Sequence, residues 1–173
     1  MRKIVYSVAM SLDGFIAGPA GEYDWIMMDP EIDFGALFAR FDACLMGRVS
    51  YEASVAQGHG AGMPGMKAIV VSTTLRAADH PGVEIIGGDL GPALDRLRAE
   101  PGKDIWLFGG GRLFRSVLDL GQVDAVDVAV IPVLLGRGIP FLPERSARAA
   151  LRLKNHRVYS QTGIVLLEYE TVR

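Results

Sequence analysis

Three consecutive glycines, Gly109-Gly110-Gly111, stand between the apolar run Leu107-Phe108 and the restart Arg112-Leu113-Phe114. A strand that breaks into glycine and resumes as a helix leaves bare backbone N–H groups at the positive end of a helix dipole, where phosphate binds. Without Cβ atoms, those residues let a pyrophosphate approach the backbone closely. The run is not the dinucleotide fingerprint G-x-G-x-x-G, because Phe114 stands where the last glycine belongs, and no Gly-Lys-Ser/Thr follows to make a P-loop. The alternative is a tight strand-to-helix turn with no ligand. Gly47-Arg48 repeats the arrangement with a cation, which can clamp a phosphate or pair with Glu52 one helical turn on. Ser72-Thr73-Thr74 closes a third apolar run with hydroxyls that suit a ribose phosphate or an ordinary turn.

Other chemistries are poorly supplied. His59, His80 and His156 are scattered at no metal-ligand spacing, and no metal site is expected. No G-x-S-x-G elbow is present. Cys44 lies in Ala43-Cys44-Leu45-Met46 and reads as a buried thiol. The carboxylates Asp13, Asp24, Asp29, Glu31 and Asp33 crowd the first part of the chain, where such groups deliver protons or merely solvate a loop.

The elements that must position these residues are legible in outline. Ile4 to Met10 is nearly all apolar, as a strand buried on both faces is, and Ser11-Leu12-Asp13-Gly14 leaves the sheet. Phe34, Leu37, Phe38 and Phe41 fall at i, i+3, i+4 and i+7 and predict a helix with Asp33 as its N-cap. Ala43 to Met46, Ala68 to Val71, Val83 to Ile86 and Asp104 to Phe108 read as strands. The region 59–65 reads as a flexible connection, and Pro92 suits the first turn of a helix carrying Leu94 and Leu97 inward. Val126 to Val133 reads as a strand interrupted or at an edge at Pro132. Leu151 to Tyr159 and Ile164 to Val172 read as an antiparallel pair turned at 160–163. Strands alternating with helices and then a run of strands imply an α/β sheet, parallel first and antiparallel at its end. Ligands of such sheets sit outside the carboxyl ends of the strands, which gathers Ala9–Ile16, Gly47-Arg48, Ser72-Thr73-Thr74 and the triple glycine into one place.

The 173 residues suit one domain. Lys plus Arg total 18 against 20 for Asp plus Glu, a net charge of −2, and no basic cluster builds a nucleic-acid surface. Half the chain is hydrophobic and its mean hydropathy is +0.24, a surplus of apolar surface that suits a homo-oligomer. A single cysteine allows no internal disulfide, no apolar run is long enough for a membrane span, and the short run after Arg2-Lys3 reads as a first strand; a cytoplasmic protein is expected.

Five pieces in this order resemble the dihydrofolate reductase superfamily, and more closely the reductase domain of the riboflavin-biosynthesis deaminase-reductase and its stand-alone relatives. They are Ala9-Met10-Ser11-Leu12-Asp13-Gly14-Phe15-Ile16-Ala17, Leu45-Met46-Gly47-Arg48-Val49-Ser50-Tyr51-Glu52, Val70-Val71-Ser72-Thr73, Phe108-Gly109-Gly110-Gly111, and the run from Pro132 to Phe141. The resemblance implies a three-layer α/β/α fold with a mostly parallel central sheet and an antiparallel C-terminal hairpin, binding NADPH in an extended conformation. It implies that the backbones of Ala9 and Ile16 hold the nicotinamide carboxamide. Gly110, Gly111, Arg112 and Leu113 would meet the pyrophosphate, and Arg48 with Ser72-Thr73 would read the adenosine 2′-phosphate. It implies hydride transfer from NADPH to a C=N or C=O carbon of a heterocycle, pyrimidine- or pterin-like, or of an aminosugar phosphate, on the riboflavin pathway or elsewhere, and a homodimer pairing along 131–141. Asp13, Glu31 and Asp33 are the candidate proton donors; Asp13 can equally cap its own turn, and Asp33 its helix. Trp25 and Tyr51 are candidate walls for a planar substrate, or core. The riboflavin reductases carry Asp-Asn-Pro or Asp-Asp-Pro where this chain has Tyr51-Glu52-Ala53-Ser54, and the folate reductases carry a Trp-x-Leu-Pro run absent before Asp29-Pro30-Glu31. The resemblance therefore specifies cofactor more closely than substrate. A non-catalytic NADP(H)-binding protein is the second reading, and a folate reductase proper the third.

Overall fold

The computed structural model describes residues 1–58, 62–144 and 147–172; His59 and part of the expected 59–65 connection lie outside the described residues. The elements run β1 (Ile4–Ser11), β2 (Phe15–Ala17), α1 (Phe34–Ala39), β3 (Phe41–Gly47), α2 (Arg48–Ala56), β4 (Lys67–Val71) and β5 (Val83–Ile86). They continue α3 (Leu90–Ala99), β6 (Asp104–Gly109), α4 (Gly111–Asp119), β7 (Ala125–Ile131), β8 (Ile139–Pro140), β9 (Leu151–Tyr159) and β10 (Ile164–Thr171). Eight strands form one sheet in the order β5-β4-β3-β6-β1-β7-β10-β9, and β2 pairs with β8 in a small ribbon. The first six are mutually parallel, while β10 runs antiparallel to β7 and to β9. This is the α/β sheet with an antiparallel C-terminal hairpin that the sequence predicts.

Alternation along each strand sends side chains to two separate cores. Ile4, Tyr6, Leu45, Ile69, Leu107, Val126 and Val128 pack with Leu94 and Leu97 of α3 and Leu113, Phe114 and Val117 of α4. On the opposite face, Val5, Phe41 and Trp106 meet Leu37 and Phe38 of α1, and Cys44, Met46, Ala68 and Val70 meet Tyr51 of α2. Helices thus cover both faces, and strands filled on both sides read as continuous apolar runs.

Two boundaries differ from expectation. Phe41 is not the fourth apolar position of a helix: α1 ends at Ala39, Arg40 caps it, and Phe41 opens β3, buried with its ring stacked on Trp106 at 5.7 Å. Helical spacing continued by chance into a strand that the sheet needed. The strand expected through Pro132 stops at Ile131, since proline has no N–H for the ladder. Val133 N–H instead donates to Ile131 O at 2.8 Å, and the Val133 carbonyl takes Leu12 N–H at 2.9 Å.

Candidate functional site

The parallel strands β1, β3, β4, β6 and β7 end at Ser11, Gly47, Val71, Gly109 and Ile131, so the stretches singled out by sequence lie at successive strand ends along one edge of the sheet. Two nine-residue helices start there with glycine at the cap position, Gly47 for α2 and Gly110 for α4, and neither cap supplies a side-chain hydrogen bond. The usual Ser, Thr, Asp or Asn would satisfy an N–H of the first turn; here those donors are left to another acceptor. The turns are close: a Cβ on Gly47 would stand 3.8 Å from Gly109 O.

The three glycines are there for three different reasons. Gly109 has φ +128°, a backbone that side chains rarely adopt. A Cβ on Gly110 would meet nothing nearer than Ser50 Oγ at 3.7 Å, so its bare face is free for a ligand. A Cβ on Gly111 would stand 2.6 Å from Pro140 O and 3.0 Å from Pro143 Cδ, so this glycine admits the chain after β8. Arg112 is exposed and Leu113 buried beside them.

Arg48 lies at the first position of α2, half-exposed, with Nη1 donating to both carboxylate oxygens of Glu52 at 3.1 and 2.9 Å. Ser72 is buried, and its Oγ accepts from the Thr74 and Leu75 N–H groups at 3.2 and 3.1 Å. The Ser72 hydroxyl therefore shapes the turn, leaving the exposed Thr73 to face solvent. Ala9 and Ile16 are half-buried, in β1 and β2.

Each of the three candidate acids is engaged elsewhere. Asp13 accepts from Ser11 Oγ at 2.7 Å, from Leu135 N–H at 3.0 Å and from Gly136 N–H at 2.7 Å, tying the loop after β1 to the loop after β7. The Ser11 hydroxyl, with those backbone N–H groups, holds its carboxyl below the ordinary value, the opposite of what a proton donor needs. Glu31 is ion-paired with Arg157 at 3.0 Å, on the exterior. Asp33 accepts from Ala36 N–H at 2.8 Å as the N-cap of α1. Asp29, read from sequence as one more loop charge, is 2 % exposed, where it accepts from Glu31 N–H at 2.9 Å and Thr162 Oγ1 at 2.8 Å.

Of the candidate walls, Tyr51 is corrected: it is 5 % exposed, packed on the sheet under α2, with its hydroxyl 2.9 Å from His80 Nδ1. An amphipathic helix turns its largest apolar side chain to the sheet, and no substrate surface remains on it. Trp25 is half-buried against Ile131, Tyr159 and Ile164, its Nε1–H donating to Glu22 O at 3.3 Å.

On the α1 side, β1 carries only Ser7, Ala9 and Ser11 toward its carboxyl end, and β7 carries Ala129 before the buried Ile131 that ends the strand. Ser7, Ala9 and Ala129 remain partly exposed although they sit on central strands, so their neighbours stop short of covering them. The larger side chains of that face stand on either side: Phe38, Trp106 and Phe108 toward β6, and Trp25, Ile26 and Ile32 toward β10. Phe38 stacks on Trp106 with centroids 5.4 Å apart, Phe108 meets Trp106 edge-on at 5.3 Å, and Trp106 Nε1–H donates to Ser7 O at 2.8 Å. This aromatic ledge escaped the sequence reading. The signal was the period-two spacing of Trp106 and Phe108 around Leu107, which puts both rings on one face.

The family model for the RibD C-terminal domain matches residues 2–166. The Bacillus subtilis (strain 168) uncharacterized proteins YyaP and YwjB are 32 % and 30 % identical to this chain; the alignments cover 97 % and 92 % of it and 94 % of each relative. A candidate riboflavin biosynthesis protein of Shewanella sp. PV-4 superposes with a TM-score of 0.81 at 26 % identity, covering 100 % of both chains. The Thermotoga maritima diaminohydroxyphosphoribosylaminopyrimidine deaminase/5-amino-6-(5-phosphoribosylamino)uracil reductase superposes with a TM-score of 0.71 at 19 % identity over 99 % of this chain and 57 % of that one.

Proposed function

Because the chain belongs to the RibD C-terminal domain family, we propose that it is an NADPH-dependent reductase that transfers a hydride to a small pyrimidine- or pterin-like heterocycle. The observation that carries this reading is the pair of uncapped helix N-termini, α2 behind Gly47 and α4 behind Gly110, at adjacent strand ends. One such terminus suits one phosphate; two side by side suit a ligand with phosphates at separate points. Gly109, Gly110, Gly111, Arg112 and Leu113 would hold the pyrophosphate, with Gly47, Arg48, Ser72 and Thr73 at the 2′-phosphate. The backbones of Ala9 and Ile16 would hold the carboxamide. The cofactor when bound supplies the hydride, and the protein supplies position and a proton. The trough beside Phe38, Trp106 and Phe108 would take the planar acceptor. The deaminase-reductase of Thermotoga maritima suggests 5-amino-6-(5-phosphoribosylamino)uracil as the first acceptor to try. The second reading, a non-catalytic NADP(H)-binding protein, draws on the engagement of Asp13, Glu31 and Asp33 in other contacts. The partner we assign is a second copy of the chain.

Calorimetric titration with NADPH and, separately, NADH tests the cofactor. We expect NADPH to bind far more tightly. Arg48→Ala should weaken NADPH by about 1.5–3 kcal/mol, the range for a hydrogen bond to a charged group. About 0.3–0.5 kcal/mol comes off for the exposed Glu52 pair that Arg48 gives up. NADH binding should hardly change. Equal losses for both cofactors would remove Arg48 from the 2′-phosphate, and failure of both to bind would remove the cofactor reading.

A further inference from the structure

Reduction of a C=N bond needs a hydride on carbon and a proton on nitrogen, and with Asp13, Glu31 and Asp33 engaged elsewhere the proton needs another source. Resting on the reductase reading, we infer that Asp127 delivers this proton and that Arg40 holds the carboxylate left behind.

Asp127 lies in the middle of β7, paired in register with Ser7 of β1 on one side and Glu168 of β10 on the other. Ser7 and Asp127 sit two residues before Ala9 and Ala129 on the same strands, so all four share one face of the sheet. The Asp127 backbone is thus one pleat repeat, about 7 Å, from the row of Ala9 and Ala129 that would underlie the nicotinamide, with its side chain on the same face. A single heterocyclic ring spans that gap. On the β6 side Trp106, in register with Val5, sends its indole N–H to Ser7 O in the row of Asp127.

A carboxylate on a central strand at 4 % exposure costs stability unless it is paired, and such groups concentrate where chemistry is done. Arg40, from the end of α1, reaches it with Nη1 2.9 Å from Oδ2 and 3.6 Å from Glu168 Oε1. The groups that act on Asp127 are Arg40 from α1, Glu168 from β10 and Asp104 at the start of β6. Burial pushes its carboxyl above the ordinary value, Glu168 and Asp104 push the same way, and Arg40 opposes them. Toward the amino ends of the strands Asp127 borders an open concavity of about 390 Å³, whose other lining includes Lys3, Ala125, Lys154, Glu170 and Thr171. That concavity lies on the side of Asp127 opposite the trough.

In the step assigned, the Asp127 O–H bond breaks as an N–H bond forms on the acceptor nitrogen, and the adjacent carbon receives the hydride with its electron pair from the reduced nicotinamide. The C=N bond becomes CH–NH, and the carboxylate, paired with Arg40, is reprotonated by a hydronium ion of the solvent, which leaves as water.

The test combines three readouts: calorimetric NADPH binding, kcat against pH with 5-amino-6-(5-phosphoribosylamino)uracil as probe, and a carboxyl-carbon NMR titration of aspartate-labelled, ligand-free protein. For the wild type we expect kcat to fall as pH rises through the Asp127 titration, which should lie above the ordinary aspartate value. Asp127→Asn should keep NADPH affinity, lose about 100-fold or more in kcat, and lose that limb. Arg40→Gln retains the acid and removes the cation, so the limb should move to higher pH, a shift that a merely structural pair would not produce. Unchanged kcat and pH profile in Asp127→Asn, or an Asp127 titration at or below the ordinary value, overturns the assignment alone. If Asp127→Asn fails to fold, an unmoved limb in Arg40→Gln overturns it equally. A wild type that binds no NADPH, or binds it and leaves the probe unreduced, overturns the reductase reading and this inference with it.

Discussion

The carboxylates on and after β1 and β7 are distinguished by which donors reach them. Asp13 collects a hydroxyl and two backbone N–H groups and stays ionised, so it works as an anchor between the loops that follow β1 and β7. Asp127 collects one guanidinium in a buried setting, and its carboxyl moves the other way. The two types of shift have opposite consequences for stability. A carboxyl whose folded value lies below the unfolded one stabilises fully above the unfolded value and loses that stabilisation as pH falls through the folded one. Asp13→Asn should therefore lower the melting temperature at neutral pH, and the deficit should close as pH falls below the ordinary 3.8. A thermal melt series from pH 7 to pH 2 checks it; a deficit that persists unchanged at the acid end would assign the loss to packing.

At the scale of elements, the glycine turns do most to shape the site, and they are not interchangeable. Gly111 starts α4 pressed against the chain after β8, whereas the Gly110 face is open. Gly111→Ala should destabilise the fold by about 1–3 kcal/mol, the range for overpacking against backbone that cannot retreat. Gly110→Ala should melt close to the wild type yet weaken both NADPH and NADH, because its Cβ would project where the pyrophosphate is expected. Denaturation curves and calorimetry on the two variants separate the roles; equal stability losses in both would show that the turn tolerates no side chain at either point. The elements around these turns were legible: β5 begins and ends where its β-rich run does, and the β9–β10 hairpin turns where Gly163 permits φ +77°. What misled was α1, only six residues long, whose apolar spacing ran on into β3.

On the scale of the whole molecule, the sheet is covered unevenly. In the β9–β10 hairpin the cross-strand pairs Val165–Val158, Leu167–His156, Tyr169–Leu153 and Thr171–Leu151 share the face that elsewhere packs on α3 and α4. The other face carries Arg152 opposite Glu170 and Asn155 opposite Glu168. Such alternation writes a buried face, yet Leu151, Leu153 and Val158 are 42 %, 48 % and 60 % exposed. Apart from His156 the face has no ionisable group other than the phenol of Tyr169, so a charged partner finds nothing to pair with, whereas an identical apolar face is complementary under two-fold symmetry. We propose that a second copy packs on this face, alongside the 131–141 edge expected from sequence, in which Leu134 and Ile139 are exposed large apolar residues. Leu153→Glu and Val158→Glu should each shift the protein to monomer in sedimentation while leaving far-UV circular dichroism intact. A wild type that sediments as a monomer at micromolar concentration would remove the dimer.

How much could be known without coordinates divides along the range of the interactions involved. Alternation and helical spacing are local, so strand and helix positions, the parallel-then-antiparallel sheet and the strand-end gathering of Gly47, Ser72 and Gly109 followed from residue order. The Asp33 cap and the Arg48–Glu52 pair, three and four residues apart, were legible for the same reason. Whether a carboxylate is a donor, an anchor or a latch is set by partners far along the chain: Asp13 by Leu135 and Gly136, Asp29 by Thr162, Glu31 by Arg157, Asp127 by Arg40. The burial of Tyr51 and the ledge of Phe38, Trp106 and Phe108 depend likewise on which strand lies beside which. Long-range pairing and desolvation leave no trace at a fixed spacing, and so the chemistry of the site emerged only once the chain was folded.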